Sequence, residues 1–294
     1  MKEELVQKIK RVTLIALMSD DYLLENLTLK GGNALDMIYR LNKRGSYDLD
    51  FSMEEDFSED LKNVEIRIKR TLTNTFYEEG YAVIDFKFKE KPKVISDKLK
   101  DFWGGYQIEF KIVENDTYEA NKDRLDTLGA RAISLNPETR SSKIEIDISK
   151  FEYIGEKERH TIDGLYIYVY APIMILLEKV RAICQQTKEY QAIVNRNTSR
   201  GRARDFFDVY SILINSPGID LFSKESQEMA KNVFAAKKVP LDFIELIKEY
   251  KGLHEENFQA VKSTVSIDNL ETFDFYFDYV VEQSEKLLNI IRSS

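Results

Sequence analysis

The sequence predicts an α+β fold, a mixed sheet with flanking helices, followed by an all-α domain. Three observations carry this reading. Before residue 170, stretches of alternating apolar and polar residues are interleaved with helix-period segments. After Ala171-Pro172 the two-residue period disappears and the remainder reads as helix. At 294 residues, the chain is long enough for about two domains. The expected organisation is therefore residues 1–170 and residues 171–294.

The elements follow in order. Glu3 to Glu25 reads as one helix, with Leu5, Ile9, Val12, Ile15, Ala16 and Leu23 loosely on one side. It runs into acids without a small-residue cleavage site, as an amphipathic helix does and a signal peptide does not. Leu27 to Leu29 is a short strand closed by Gly31-Gly32, and Asn33 to Leu41 a helix with Asn33 as its N-cap. Tyr47 to Ser52 is a strand and Leu61 to Glu78 a helix. Tyr81–Lys89, Tyr106–Val113 and Lys143–Ser149 alternate as half-buried strands do, and Gly164–Tyr170 is the last strand. The helices of the second domain are expected at Ile173–Thr187, Ala203–Ile214, Lys224–Ala236, Leu241–Tyr250 and Phe273–Ile291. Pro217 and Pro240 fall at breaks between them.

Composition narrows the function classes. Hydrophobic residues make up 43%, with 17 Phe and 16 Tyr, enough for a sizeable core and unlike a disordered chain. No apolar run reaches the roughly 18 residues of a membrane helix. One cysteine, Cys184, excludes an internal disulfide and a cysteine-rich zinc site, and fits a reducing cytoplasm. The two histidines, His160 in a charged loop and His254 among acids, have no triad partner at a readable spacing. A net charge of −8 gives no global nucleic-acid footprint, so any phosphate-binding surface must be local.

Two local patterns can carry phosphate chemistry. In Ser46-Tyr47-Asp48-Leu49-Asp50-Phe51, a strand puts Asp48 and Asp50 on one face and Leu49 and Phe51 on the other. Paired carboxylates on a rigid element suit Mg²⁺. An edge strand with a solvated acidic face shows the same alternation. Upstream, Leu29-Lys30-Gly31-Gly32-Asn33 places a glycine turn between a strand and a helix start, where bare backbone N–H groups can cradle phosphate. An ordinary tight turn gives the same residues. A third acid, Asp147, shares a strand face with Glu145, while Asp85 and Glu109 show similar alternation on other strands. In the helical half, Leu176 to Arg204 carries seven bases against two acids, a basic segment within an acidic protein. A solvated loop between helices, with Arg204 and Asp208 as an i,i+4 pair, would also account for it.

Together, Leu29-Lys30-Gly31-Gly32-Asn33-Ala34-Leu35 and Ser46-Tyr47-Asp48-Leu49-Asp50-Phe51 resemble the signature of the AbiEii/MenT-type nucleotidyltransferase toxins. Glu178-Lys179-Val180-Arg181-Ala182 resembles that family's Lys motif, and Arg202-Ala203-Arg204-Asp205-Phe206-Phe207-Asp208 its Arg-Asp motif. The resemblance implies a nucleotidyltransferase-like sheet domain joined to a helical domain that completes the cleft for NTP and acceptor. It implies Mg²⁺-dependent transfer of a nucleotide from an NTP to a macromolecule, an RNA such as a tRNA end among them. It also implies a toxin–antitoxin operon with a role in abortive infection, and a cognate antitoxin protein. The metal ligands are then Asp48 and Asp50, with Asp147 as third acid. Lys30, Gly31, Gly32, Asn33, Ser46, Lys179 and Arg204 contact the NTP, and Lys179 and Asp205 join the acids in catalysis. Asn33 stands where Ser or Thr is common in related enzymes. The alternative is a non-catalytic nucleotide- or partner-binding protein of the same fold, against which Asp48, Asp50 and Lys179 are intact.

Overall fold

The computed structural model describes residues 2–41, 48–135, 141–155, 157–195, 198–262 and 270–294. The chain divides into two compact units, one formed by Met1–Lys30 with Ser46–Val169, the other by Gly31–Gly45 with Tyr170–Ser294.

The first unit is built on a seven-stranded sheet. Its strands are β1 (Thr28–Lys30), β2 (Leu49–Ser52), β3 (Tyr81–Glu90), β4 (Gly105–Glu114), β5 (Ile144–Ser149), β6 (Lys157–Ile162) and β7 (Leu165–Tyr170). They lie in the order β3-β4-β5-β2-β1-β7-β6. β2 runs antiparallel to β1 and parallel to β5, β4 runs antiparallel to both β5 and β3, and β1 is parallel to β7. Because side chains alternate between faces, the register separates two surfaces. Leu29, Leu49, Phe51, Ile108, Phe110, Ile144, Ile146 and Ile148 share one face and are all buried. That face is the core.

The helices of this unit are α1 (Lys2–Met18), α2 (Asp21–Asn26), α4 (Leu61–Glu78), α5 (Asn115–Glu119) and α6 (Leu125–Leu128), with α3 (Gly31–Asn33) assigned to the other unit. α4 shows why sequence dictates its placement. Val64, Ile68, Leu72 and Phe76 recur every fourth residue and are fully buried, and Asp60 accepts the Lys62 backbone N–H at its N-terminus. Phe76 meets Phe110 of β4 edge to face at 5.4 Å.

Three local expectations are corrected. The helix expected over Glu3 to Glu25 is two helices, because the Asp20 carboxylate accepts the Leu23 N–H and starts α2 anew. Asn33 is not an N-cap. Gly31, at φ 70°, turns the chain directly out of β1, so the helix starts at Gly31 and passes into a π-helical turn, Ala34–Ile38, with Asn33 already helical. His160 lies on strand β6 rather than in a loop, with Glu158 at 2.9 Å from its Nε2.

The second unit holds α7 (Pro172–Cys184), α8 (Lys188–Val194), α9 (Ala203–Asn215), α10 (Lys224–Ala236), α11 (Lys251–Glu255), α12 (Phe258–Lys262) and α13 (Phe273–Ser293). Leu241–Tyr250 is a 3-10 helix rather than an α-helix. Pro172 opens α7 at a position where its missing N–H costs nothing. α7 packs on α9 and α10, and α9 on α13, where Phe206 stacks with Phe277 at 5.2 Å. Cys184 is fully buried on α7, and burial pushes its thiol pKa up, as expected of a core residue.

Candidate active site

Apart from a small apolar cluster of Ala82, Ile84 and Val113 under Leu128, the second face of the sheet is polar, and its chemistry follows from the register. Lys30 pairs with Asp50, Asp50 with Asp147, and Asp147 with Gln107. These four side chains therefore stand in one row across β1, β2, β5 and β4. The next row pairs Glu145 with Glu109. Asp48 precedes β2 and, with Glu145, lines a cavity of about 200 Å³ whose other walls include Lys10, Thr13 and Lys143. The Asp48 side is exposed, Asp50 and Asp147 are half-buried, and Lys10 is buried.

Electrostatics reflect this crowding. Burial raises the Glu145 carboxyl pKa, and the negative charges of Asp48, Glu109 and Asp147 raise it further. Glu109 goes the other way: the hydrogen bond from Lys89, at 2.7 Å, holds its pKa down. Lys91 binds Asp147 through both carboxylate oxygens, each at 2.9 Å from Nζ. Lys30 is buried, with its ammonium 3.6 Å from Glu152. Among the described residues, no group of three or more His, Cys, Asp or Glu side chains is closed up enough to hold a metal ion. The donor set nevertheless suits a hard divalent cation. Asp48, Asp50 and Asp147 offer only oxygen ligands, and the register sets Asp50 directly beside Asp147.

The second unit gathers its own charged cluster. Lys179 of α7 is buried and lies 2.8 Å from Asp205 and 2.7 Å from Asp208, both on α9. Arg202 bonds the other Asp205 oxygen at 3.0 Å. The Arg202 backbone N–H donates to His254 Nδ1 at 3.1 Å. Burial lowers the His254 pKa to about 4, so the ring is neutral with its proton on Nε2. Two carboxylates and two cations thus nearly cancel inside a helical core. Arg204, between Arg202 and Asp205 in the sequence, is exposed.

Several expected site residues are thus brought together: Lys30 with Asp50 and Asp147, and Lys179 with Asp205. Ser46 lies outside the described residues. Sequence reasoning missed Lys91 on Asp147, the buried Lys10 beside Asp48 and Glu145, and Asp208 as the second carboxylate on Lys179. The alternating lysines that end β3 signalled the first, and Asp208, one helical turn from Asp205 within the Arg-Asp motif, signalled the last.

The sequence matches the AbiEii family, described as nucleotidyl transferase AbiEii toxin of a Type IV toxin–antitoxin system, over residues 13–279. No curated protein matches it. Among solved structures, JHP933 from Helicobacter pylori is similar at 16% identity and a TM-score of 0.46, covering 99% of this chain and 94% of that one. An antigenic nucleotidyltransferase-like protein from Paracoccidioides brasiliensis is similar at 14% identity and a TM-score of 0.39, over 89% and 94% of the two chains. No helix among the described residues is long and apolar enough to cross a membrane. The family match spans nearly the whole chain and both groups of charged residues, and the protein belongs to the AbiEii family of nucleotidyltransferase toxins.

Proposed function

We propose that the protein transfers a nucleotide from an NTP to a macromolecular acceptor, an RNA in this reading, as the cytoplasmic toxin of a toxin–antitoxin pair. The observation that carries the reading is the row Lys30–Asp50–Asp147, two acids and a base in register on the polar face of the sheet. Asp48, Asp50 and Asp147 would hold Mg²⁺. When bound, it would supply neutralisation of the negative charge on the triphosphate.

The chain's own groups do the rest. The turn at Gly31-Gly32-Asn33 would present backbone N–H groups to the terminal phosphates, with Lys30 preceding it, and Ser46 would add a hydroxyl contact. Lys179 and Arg204 offset the charge that develops on the leaving pyrophosphate, and Asp205 orients Lys179. Asp147, freed from Lys91, either completes the metal ligands or accepts a hydrogen bond from the acceptor hydroxyl.

The test is thermal. Adding Mg²⁺ with each NTP to the full chain should raise its melting temperature for at least one nucleotide, since a ligand of the native state stabilises it. Asp50→Ala should abolish that rise. A wild-type melting temperature indifferent to every Mg²⁺–NTP combination would contradict the proposal.

A further inference from the structure

We propose that the edge strand β3 is a track for the phosphodiester backbone of a single-stranded nucleic acid, which the lysines Lys87, Lys89, Lys91 and Lys93 lead to the acids of β2 and β5. This rests on the nucleotide-transfer reading and names the acceptor's own binding surface.

The sequence places the charge. Phe86 to Lys100 holds six lysines against Glu90 and Asp97, a strongly basic stretch in a chain of net charge −8. Four of the lysines, Lys87, Lys89, Lys91 and Lys93, recur every second residue. All four are exposed, and Lys87 and Lys93 form no ion pair among the described residues.

A β-bulge decides which face Lys87 and Lys89 occupy, and Lys91 and Lys93 follow the strand's last residue, Glu90. Ile84 pairs with Lys111 and Lys87 with Glu109, so three steps along β3 answer two along β4. Asp85, at φ 53°, takes up the extra residue. Without that slip, the strand's two-residue period would put Phe86 and Phe88 on the polar face and the lysines on the core face. With it, Phe88 stacks on buried Tyr106 at 5.1 Å, while Lys87 and Lys89 stand opposite Glu109 and Gln107 on the polar face.

Geometry then links the track to the candidate active site. Lys91 continues the ladder through its N–H to the Gly105 carbonyl, and its ammonium reaches both oxygens of Asp147. Alternate residues on a strand stand about 6.6 Å apart, so Lys87 to Lys91 spans about 13 Å. β3 lies two strands, about 10 Å, from β5. A line of ammonium groups over that length fits a repeating polyanion. It does not fit one triphosphate, which needs cations converging on a point. Edge strands also carry lysine to resist aggregation. That role needs one or two charges at the strand's edge, and it gives no reason for a row aimed across the sheet at a catalytic acid.

The test uses the full chain and fluorescein-labelled single-stranded RNA and DNA of one sequence, without NTP or divalent cation, by anisotropy across a salt series. Four backbone contacts, with Lys89 and Lys91 leaving Glu109 and Asp147 for phosphate, predict a log–log salt slope near −3, from about 0.7 per phosphate, of which Lys87 and Lys93 alone supply about 1.4. Lys87→Gln with Lys93→Gln should weaken the slope by about 1.4 and the affinity roughly 25-fold at 0.1 M salt. Lys62→Gln with Lys69→Gln, exposed on α4 and equal in charge, should bind as wild type. The inference is overturned if the wild type binds neither nucleic acid, if the β3 pair binds unchanged, or if both pairs weaken binding equally. It is overturned in favour of an acidic protein partner if the β3 pair loses polyglutamate binding alone. Preference for RNA over DNA would identify the acceptor class within the proposal. Because the β3 pair should keep the Mg²⁺–NTP melting shift, loss of the track and failure of the nucleotide reading give separate results.

Discussion

Replacing Lys179 with Met should destabilise the protein well beyond any effect on nucleotide. The ammonium is buried between Asp205 and Asp208, and the Asp208 carboxylate is wholly inside. Met fills a similar volume, so the change removes the charge and little packing. Two buried carboxylates then lose the ammonium they share, while Arg202 still bonds Asp205. Leaving a buried charge without its partner costs about 3–5 kcal/mol. For a chain of 294 residues, that corresponds to a melting-temperature drop of roughly 5–8 °C. Adding Asp208→Leu should recover part of the loss, because the uncompensated carboxylate is gone, with a coupling energy above about 1 kcal/mol in the double-mutant cycle. The assay is thermal unfolding followed by far-UV circular dichroism without ligand. A Lys179→Met variant melting within 2 °C of wild type, about 1 kcal/mol or less, or strictly additive effects, would refute the reasoning. Lys179→Arg should restore little, since a planar fork does not replace a compact ammonium between two carboxylates.

Acid stability should report His254. Its folded pKa of about 4 lies below the 6.5 of an exposed imidazole, so the fold favours the neutral ring. That contribution is complete above pH 6.5, falls as pH drops from 6.5 toward 4, and amounts to roughly 3 kcal/mol. His254→Gln should flatten the stability profile over that window, and an unchanged profile would mean that the histidine is not held neutral. In a bacterial host, expression of the wild type should slow growth and Asp50→Ala should not; equal arrest by both, at matched protein levels, would detach toxicity from the acids.

Much of the scaffold was legible because burial imposes a strict period. The isoleucines of β5 and the four-residue stripe of α4 can be read directly, since any slip would expose them. The Asp48–Asp50 pair and the glycine turn were legible for the same reason, with Leu49 and Phe51 fixing the strand's orientation. What escaped was set by contacts between distant residues. β6 is a polar strand with no apolar alternation to announce it. The break at Asp20 depends on one carboxylate capping α2. The bulge at Asp85 changes the face of every residue after it, and alternation alone cannot reveal an inserted step. The contacts of Lys91 with Asp147 and of Lys179 with Asp208 join residues 56 and 29 positions apart, read from their numbers, and follow from the register and helix packing that bring them together.

The most direct measurement is transfer itself. The full chain is incubated with each α-³²P-labelled NTP, Mg²⁺ and total bacterial RNA, and the products are separated on a denaturing gel. The account predicts label on RNA for at least one NTP, lost on chelation of the metal and absent with Asp48→Ala or Asp50→Ala variants that melt like the wild type. Label on RNA at wild-type levels from either variant would contradict it, as would no labelled macromolecule with any NTP.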